Sequence, residues 1–311
     1  MAEVAASPSL TPASKPPEHD YECLYVVGGT ATGLAPLPTV QRYDPVKDAW
    51  EAAEAMPTAR HSLACAVLDN RLYVIGGWTD AGRSSVIEMY DPSSRTWDQT
   101  CERLEMDLRG HTCVPIGGYI YAVGGNGATA GSVKRYDART STWEISYATC
   151  NLESDDAFAV LGDHIYATGG SNINDRKLKT VQRYDATRDC WEPVKDMPVG
   201  RSKHAAAVLD GFLYVIGGED DGEECLSRVD RFNPTRNVWD SVSPLAVGRQ
   251  FLTTVTAGER IYAIGGVKAD RSQATDVEAY DAVSNTWTRC TPMPTTRMAF
   301  AVGVLSCGVF P

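Results

Sequence analysis

The sequence predicts an all-β fold, a six-bladed β-propeller of four-stranded antiparallel blades closed by a C-terminal strand. Three markers in register predict it. A glycine pair follows an apolar, Tyr-containing run six times, at Gly28-Gly29, Gly76-Gly77, Gly124-Gly125, Gly169-Gly170, Gly217-Gly218 and Gly265-Gly266. A tryptophan keeps the same rhythm at Trp50, Trp97, Trp143, Trp191, Trp239 and Trp287. Between glycines and tryptophan stands Tyr-Asp or a near relative: Tyr43-Asp44, Tyr90-Asp91, Tyr136-Asp137, Tyr184-Asp185, Phe232-Asn233 and Tyr280-Asp281. The intervals between first glycines are 48, 48, 45, 48 and 48 residues. A fixed period of this length marks a repeat architecture, in which stacked neighbours bury what one unit cannot bury alone.

Each unit divides into four short runs of Val, Ile, Tyr, Thr and Ala, the composition of a strand meander. In the second unit they fall at about 63–68, 72–75, 86–90 and 96–98. Asp69-Asn70, Gly162-Asp163 and Asp210-Gly211 suit tight hairpins between first and second strands. Asp44-Pro45 and Asp91-Pro92 suit the turn between third and fourth. The glycine pair ends the second strand in a backbone conformation closed to other residues. The repeat tryptophans and tyrosines bury large areas and are expected to be structural.

The first unit starts at its second strand. The last segment, from Arg297 to Val304, has the pattern of a first strand and is expected to complete the first blade. Without it a strand edge would stand unpaired. Residues 1–20 are rich in Ala, Ser and Pro and nearly free of large apolar side chains, so they are expected to be a disordered tail ahead of a propeller at 21–311. They show neither the basic start nor the apolar core of a secretory signal. No apolar run is long enough to span a bilayer as a helix.

Nine cysteines are scattered without a CxxC spacing, which reads as reduced thiols in a cytoplasmic or nuclear compartment. A net charge of -11 argues against general nucleic-acid or anionic-membrane binding. No metal ligand set, Walker spacing or GxGxxG stands out, and no cofactor is implied.

The double glycine, Tyr-Asp and Trp, with Met56-Pro57, Met197-Pro198 and Met293-Pro294 and an arginine beyond, resemble the kelch repeat from about Tyr21 to Val304. Residues 151–156, Asn-Leu-Glu-Ser-Asp-Asp, depart most from it. The likeness is strongest to the six-bladed propellers of BTB-kelch ubiquitin-ligase adaptors, although the 311 residues leave no room for a BTB domain or cullin-binding helices. The resemblance implies a monomeric protein-interaction scaffold, serving substrate recognition in a ubiquitin ligase or a cytoskeletal, actin-binding complex.

It also implies where a partner docks. The loops between blades carry Arg60, Arg109, Arg201, Arg249 and Arg297, with His61, His111 and His204 close by. In BTB-kelch propellers this face grips peptides that are often acidic, and carried over by position the arginines form a ring suited to carboxylate or phosphate. The alternative for each arginine is a repeat role, hydrogen-bonding loop carbonyls of a neighbouring blade. The variable loops after the glycines add Trp78, the one tryptophan outside the repeat positions, then Arg83 and Asn126. The acidic loop 219–224, with Glu153, Asp155 and Asp156, opposes Arg176, Lys177 and Lys179, which suits a partner of mixed charge. No residue is singled out as catalytic. A kelch-type sugar mutarotase or oxidase is the competing class, with His111, Arg201 and Asp155 as the residues it would have to use.

Overall fold

The computed structural model describes residues 21–31, 35–103, 111–124, 132–146, 148 and 156–307, side chains 100–103 excepted. The expected disordered tail lies outside the described residues. So do Arg109, Gly125, Asn126, Glu153 and Asp155.

Six four-stranded antiparallel sheets follow one another along the chain. From inner to outer strand, the second blade runs Ala64–Leu68, Arg71–Ile75, Val86–Asp91, Thr96–Arg103. The third runs His111–Ile116, Tyr119–Gly124, Val133–Asp137, Thr142–Ile145. The fourth runs Ala157–Leu161, His164–Thr168, Val181–Asp185, Cys190–Val194. The fifth runs Ala205–Leu209, Phe212–Ile216, Val229–Asn233, Val238–Val242, and the sixth Thr253–Ala257, Arg260–Ile264, Val277–Asp281, Thr286–Cys290. In the first blade the inner strand is Ala301–Ser306, paired with Glu22–Val27 ahead of Val40–Asp44 and Ala49–Ala53. The ends of the chain thus meet in one sheet. Each inner strand neighbours the next around the ring, and the C-terminal strand neighbours both Thr253–Ala257 and Ala64–Leu68.

Period-two alternation explains why the second strands are almost wholly apolar beyond their first residue: each lies between two blades and buries both faces. Leu24 and Val26 pack with Tyr262 and Ile264 of the sixth blade. Cys23, Tyr25 and Val27 pack with Leu72 and Val74 of the second. Such a buried cluster occupies every one of the six seams.

The repeat markers have separate physical duties. The Tyr of each Tyr-Asp (Phe232 in the fifth blade) packs its ring tilted against the following Trp, centroids 5.0–5.3 Å apart. Trp50, Trp97, Trp239 and Trp287 then donate their indole N–H to a carbonyl of the preceding blade at 2.8–2.9 Å. The Asp caps the turn beyond it, as Asp44 does for the N–H groups of Val46 and Lys47. Tyr43 and Tyr280 donate to Asp48 and Asn285, residues in the left-handed region that Asp and Asn tolerate. The glycine pair is required where blades touch. At Gly217, with φ +66°, a Cβ would stand 2.6 Å from the Arg249 carbonyl. At Gly218, with φ +93°, it would stand 2.6 Å from that of Ser202.

Candidate functional site

One face of the ring gathers both loop families. The residue after each described arginine forms a β-bridge with the residue after a glycine pair: His61 with Trp78, Ser202 with Glu219, Gln250 with Val267, Met298 with Thr30. The inter-blade loops and the glycine loops are therefore one surface, surrounding the mouth of the central channel.

The four described arginines do not lie on that surface. Arg60, Arg201 and Arg249 have no exposed area, and Arg297 has 2%. Each guanidinium donates through Nη1 to two backbone carbonyls of the following blade: Gly76 and Val86, Gly217 and Arg228, Gly265 and Asp276, Gly28 and Thr39. The backbone carbonyls of Arg60, Arg201 and Arg249 meanwhile accept from the second glycine of the preceding blade. Each of these three residues is a tie across a seam. Three guanidinium groups also meet a buried carboxylate: Arg60 with Glu88 at 3.0 Å, Arg201 with Asp230 at 2.5 Å, Arg249 with Glu278 at 2.6 Å. Burial lowers the pKa of Arg201 to about 10, opposed by Asp230, which leaves it cationic at neutral pH. The expectation that Arg60, Arg201, Arg249 and Arg297 present a guanidinium ring to a partner is corrected accordingly. Their donors are turned inward onto the blade, because the inter-blade turn would otherwise leave buried carbonyls unpaired.

Arg297, at the closing seam, lacks the carboxylate. It meets Thr39 and Thr295 hydroxyls instead, and burial alone lowers its pKa to about 10. Gln41 pairs with Val26 in the register at which Glu88, Asp230 and Glu278 pair with Val74, Val215 and Ala263. Among the described residues its buried Oε1 has no hydrogen-bond partner. Gln41→Glu is expected to supply the missing counter-charge and stabilise the ring by about 1 kcal/mol, or about 2 °C in Tm. A thermal melt checks it; an unchanged or lower Tm would mean that desolvating the new carboxylate outweighs the pairing.

What reaches solvent on this face is different. The residue two after each of the four described arginines lies in the left-handed region: Ser62, Lys203, Phe251 and Ala299, with φ of 50–54°. Such a turn points the backbone N–H at the neighbouring loop, as Phe251 N to Lys203 O at 2.7 Å and Ser62 N to Ala299 O at 2.8 Å. Small Ser62 and Ala299 fit it easily. Phe251 does not, since a bulky side chain in this region is costly, yet 45% of it is exposed. The Lys203 ammonium sits 5.2 Å from its ring. Sequence reading passed over Phe251 and Lys203; the available signal was a large aromatic at a repeat position filled elsewhere by Ser62, Lys203 and Ala299. Trp78 is half-buried, bridged to His61, with the Arg83 guanidinium 5.5 Å from its ring centre.

The acidic loop is less acidic than its composition. Glu219 is buried and takes both Lys177, at 3.1 Å, and Lys203, at 2.5 Å. Asp221 accepts from the Lys177 N–H, and Asp220 caps its own turn. The opposing basic residue Lys177 is likewise buried. The two loops are thus fastened to each other across the seam through Lys177 and Glu219, while Arg176 and Lys179 on one and Glu223 and Glu224 on the other remain exposed.

His111 and His204 are buried at the channel, lining a cavity of about 320 Å³ with Asp156, Thr112 and Thr254. Burial pushes their pKa values down to about 4 and about 3. Both are neutral at pH 7, and His204 Nε2 lies 2.8 Å from Thr168 Oγ1. Of the residues a sugar-converting site would use, His111 is thus neutral and Arg201 is locked to Asp230, while Asp155 lies outside the described residues. The expected reduced state also fails for one pair of cysteines: Cys23 and Cys307 form a disulfide. Cys65, Cys113, Cys190, Cys225 and Cys290 are free.

Comparison with known proteins agrees with this architecture. A family model described as the KLHDC2/KLHL20/DRC7 Kelch-repeats domain matches residues 155–307, and the Kelch motif matches 18–57 and 59–99. Kelch-like protein 38 of Mus musculus is 30% identical over 48% of this chain and 25% of its own length. Kelch-like protein 23 of Mus musculus is 29% identical over 40% and 22%. The F-box/kelch-repeat protein At4g39580 of Arabidopsis thaliana is 32% identical over 42% and 35%. The chain thus spans only about a quarter to a third of the length of the curated relatives it matches. The solved structure of YjhT superposes with a TM-score of 0.69 at 17% identity, over 88% of this chain and 99% of that one, and so shares the fold. The chain belongs to the kelch-repeat family and folds as a six-bladed kelch propeller.

Proposed function

We propose that this propeller is a protein-interaction module that takes its partner on the loop face, with Phe251 and Trp78 as anchors. The observation that carries the reading is Phe251, a large aromatic held exposed in a strained turn beside the channel mouth. Exposed aromatics with a cation against the ring supply rigid contact area at low entropic cost. Strain kept at an exposed position argues for selection by something other than stability. With Arg60, Arg201, Arg249 and Arg297 buried, charge selection falls to exposed Arg83, Arg176, Lys179, Glu223 and Glu224, so the partner is a peptide or protein segment of mixed charge with an apolar anchor. We place the protein in the cytoplasm or nucleus, as the recognition part of a larger ubiquitin-ligase or cytoskeletal complex.

The test is proximity labelling in cells with wild type and Trp78→Ala/Phe251→Ser, the serine chosen because Ser62 occupies the same turn. Labelling of the specific partner set should fall about tenfold or more, as for loss of two interface anchors, with Tm retained. Ligase subunits or actin in the lost set would identify the complex. An unchanged set would sink the proposal, and sugar turnover abolished by His111→Ala would replace it.

A further inference from the structure

The disulfide joins Cys23, near the start of the first described strand, to Cys307, just beyond the closing strand, across 284 residues of sequence. It is a covalent clasp on the blade that closes the ring. Its surroundings are reactive ones. Arg42 directs Nη2 at Cys23 Sγ, 3.1 Å away, and Nε at Cys307 Sγ, 3.3 Å away. Disulfide sulfur is a weak acceptor, whereas a thiolate is stabilised strongly by a guanidinium. The same arginine pairs with Glu51. Cys23 is wholly buried, while Cys307 lines an open cavity of about 280 Å³ with Arg42, Arg95, Glu51, Glu54 and Tyr25. With Arg42 and Glu51 paired to each other, exposed Arg95 and Glu54 on the cavity's lining offer one cation and one carboxylate to a small zwitterion.

We propose that Cys307 is a thiolation site for a zwitterionic, cysteine-containing peptide thiol of the glutathione kind. The thiol enters the cavity with a carboxylate toward Arg95 and its ammonium toward Glu54, while Arg42 stays on the two sulfurs. Its proton passes to solvent, and the thiolate attacks Cys307 Sγ, the sulfur that faces the cavity. The Cys23–Cys307 bond breaks and Cys23 leaves as a thiolate against Arg42 Nη2. One disulfide is exchanged for another, with no net oxidation. A second thiol attacking the mixed disulfide would free Cys307 and leave the clasp open, with the antiparallel ladder from Glu22 to Val27 still holding the strand.

The full chain, purified without reductant, is treated with glutathione, and adducts are mapped by peptide mass spectrometry against time. The adduct is expected on Cys307 and not on Cys23. Arg42→Gln should slow its formation by about tenfold or more, through lost stabilisation of the leaving thiolate. Arg42→Lys should recover part of the rate. Arg95→Asn, which keeps a residue suited to the left-handed φ of 57° there, should slow glutathione but not neutral β-mercaptoethanol. The proposal is overturned if both cysteines are free in the purified chain, or if the adduct forms on Cys23. Equal rates for Arg42→Gln and wild type, both folded by thermal melt, would also overturn it. So would an Arg95→Asn variant that does not distinguish the two thiols.

Discussion

Replacing Arg60 and Arg201 together by alanine is expected to unfold the propeller early. Each substitution strips a buried carboxylate, Glu88 or Asp230, of its counter-charge. Breaking such a pair costs about 3–5 kcal/mol, since the remaining charge stays in a medium that cannot solvate it. Four carbonyls, those of Gly76, Val86, Gly217 and Arg228, lose a donor as well. The two sites lie on the second and fifth blades and share no partner, so their costs should add. The sum rivals the roughly 5–15 kcal/mol that holds a typical domain. A melt should show Tm lowered by about 10 °C or more, or little soluble protein. An unchanged Tm would return these arginines to the surface role. Removing both charges of one pair, as Arg201→Met/Asp230→Leu, should recover much of the loss, because an apolar pair of similar volume needs no counter-charge.

A chain ending before Arg297 should fare worse. It loses the inner strand of the first blade, which pairs with Glu22–Val27 along its whole length. Val302, Phe300 and Leu305 leave the two seam clusters that flank that blade. Also lost is the Arg297 tie to Gly28 and Thr39. The edge of Glu22–Val27, apolar on both faces, is left open to other chains. The expected outcome is no cooperative transition near the wild-type Tm, and elution larger than a monomer in gel filtration. A monomeric truncation with native Tm would refute ring closure by this strand.

The fold was legible in the sequence because each repeat marker answers a local demand. A glycine pair is needed where another chain segment touches the backbone, and Asp is needed to cap a turn. Even the closing strand could be found, since its pattern matches the start of the second unit. The arginine ring was misread for a reason just as physical. A residue repeated in five of the six inter-blade loops looks the same whether it faces a ligand or ties a seam. The counter-charges that decide it, Glu88, Asp230 and Glu278, lie about 28 residues further on, in the third strand of the next blade. Composition likewise overstated the acidic loop, since Glu219 meets its lysines only across a seam. The Cys23–Cys307 bond depends on the ends of the chain meeting. Phe251 is conspicuous only once its turn is known to be left-handed.

The residues that tie the seams and the proposed partner anchors are different sets, and one measurement weighs that separation. Partner labelling is compared in wild type, Arg201→Met/Asp230→Leu and Trp78→Ala/Phe251→Ser, at a temperature where all three are folded. The first variant lacks a ring guanidinium yet should label partners as wild type does. The second keeps every arginine and should label few. Loss of labelling by folded Arg201→Met/Asp230→Leu, with labelling intact in Trp78→Ala/Phe251→Ser, would contradict the account.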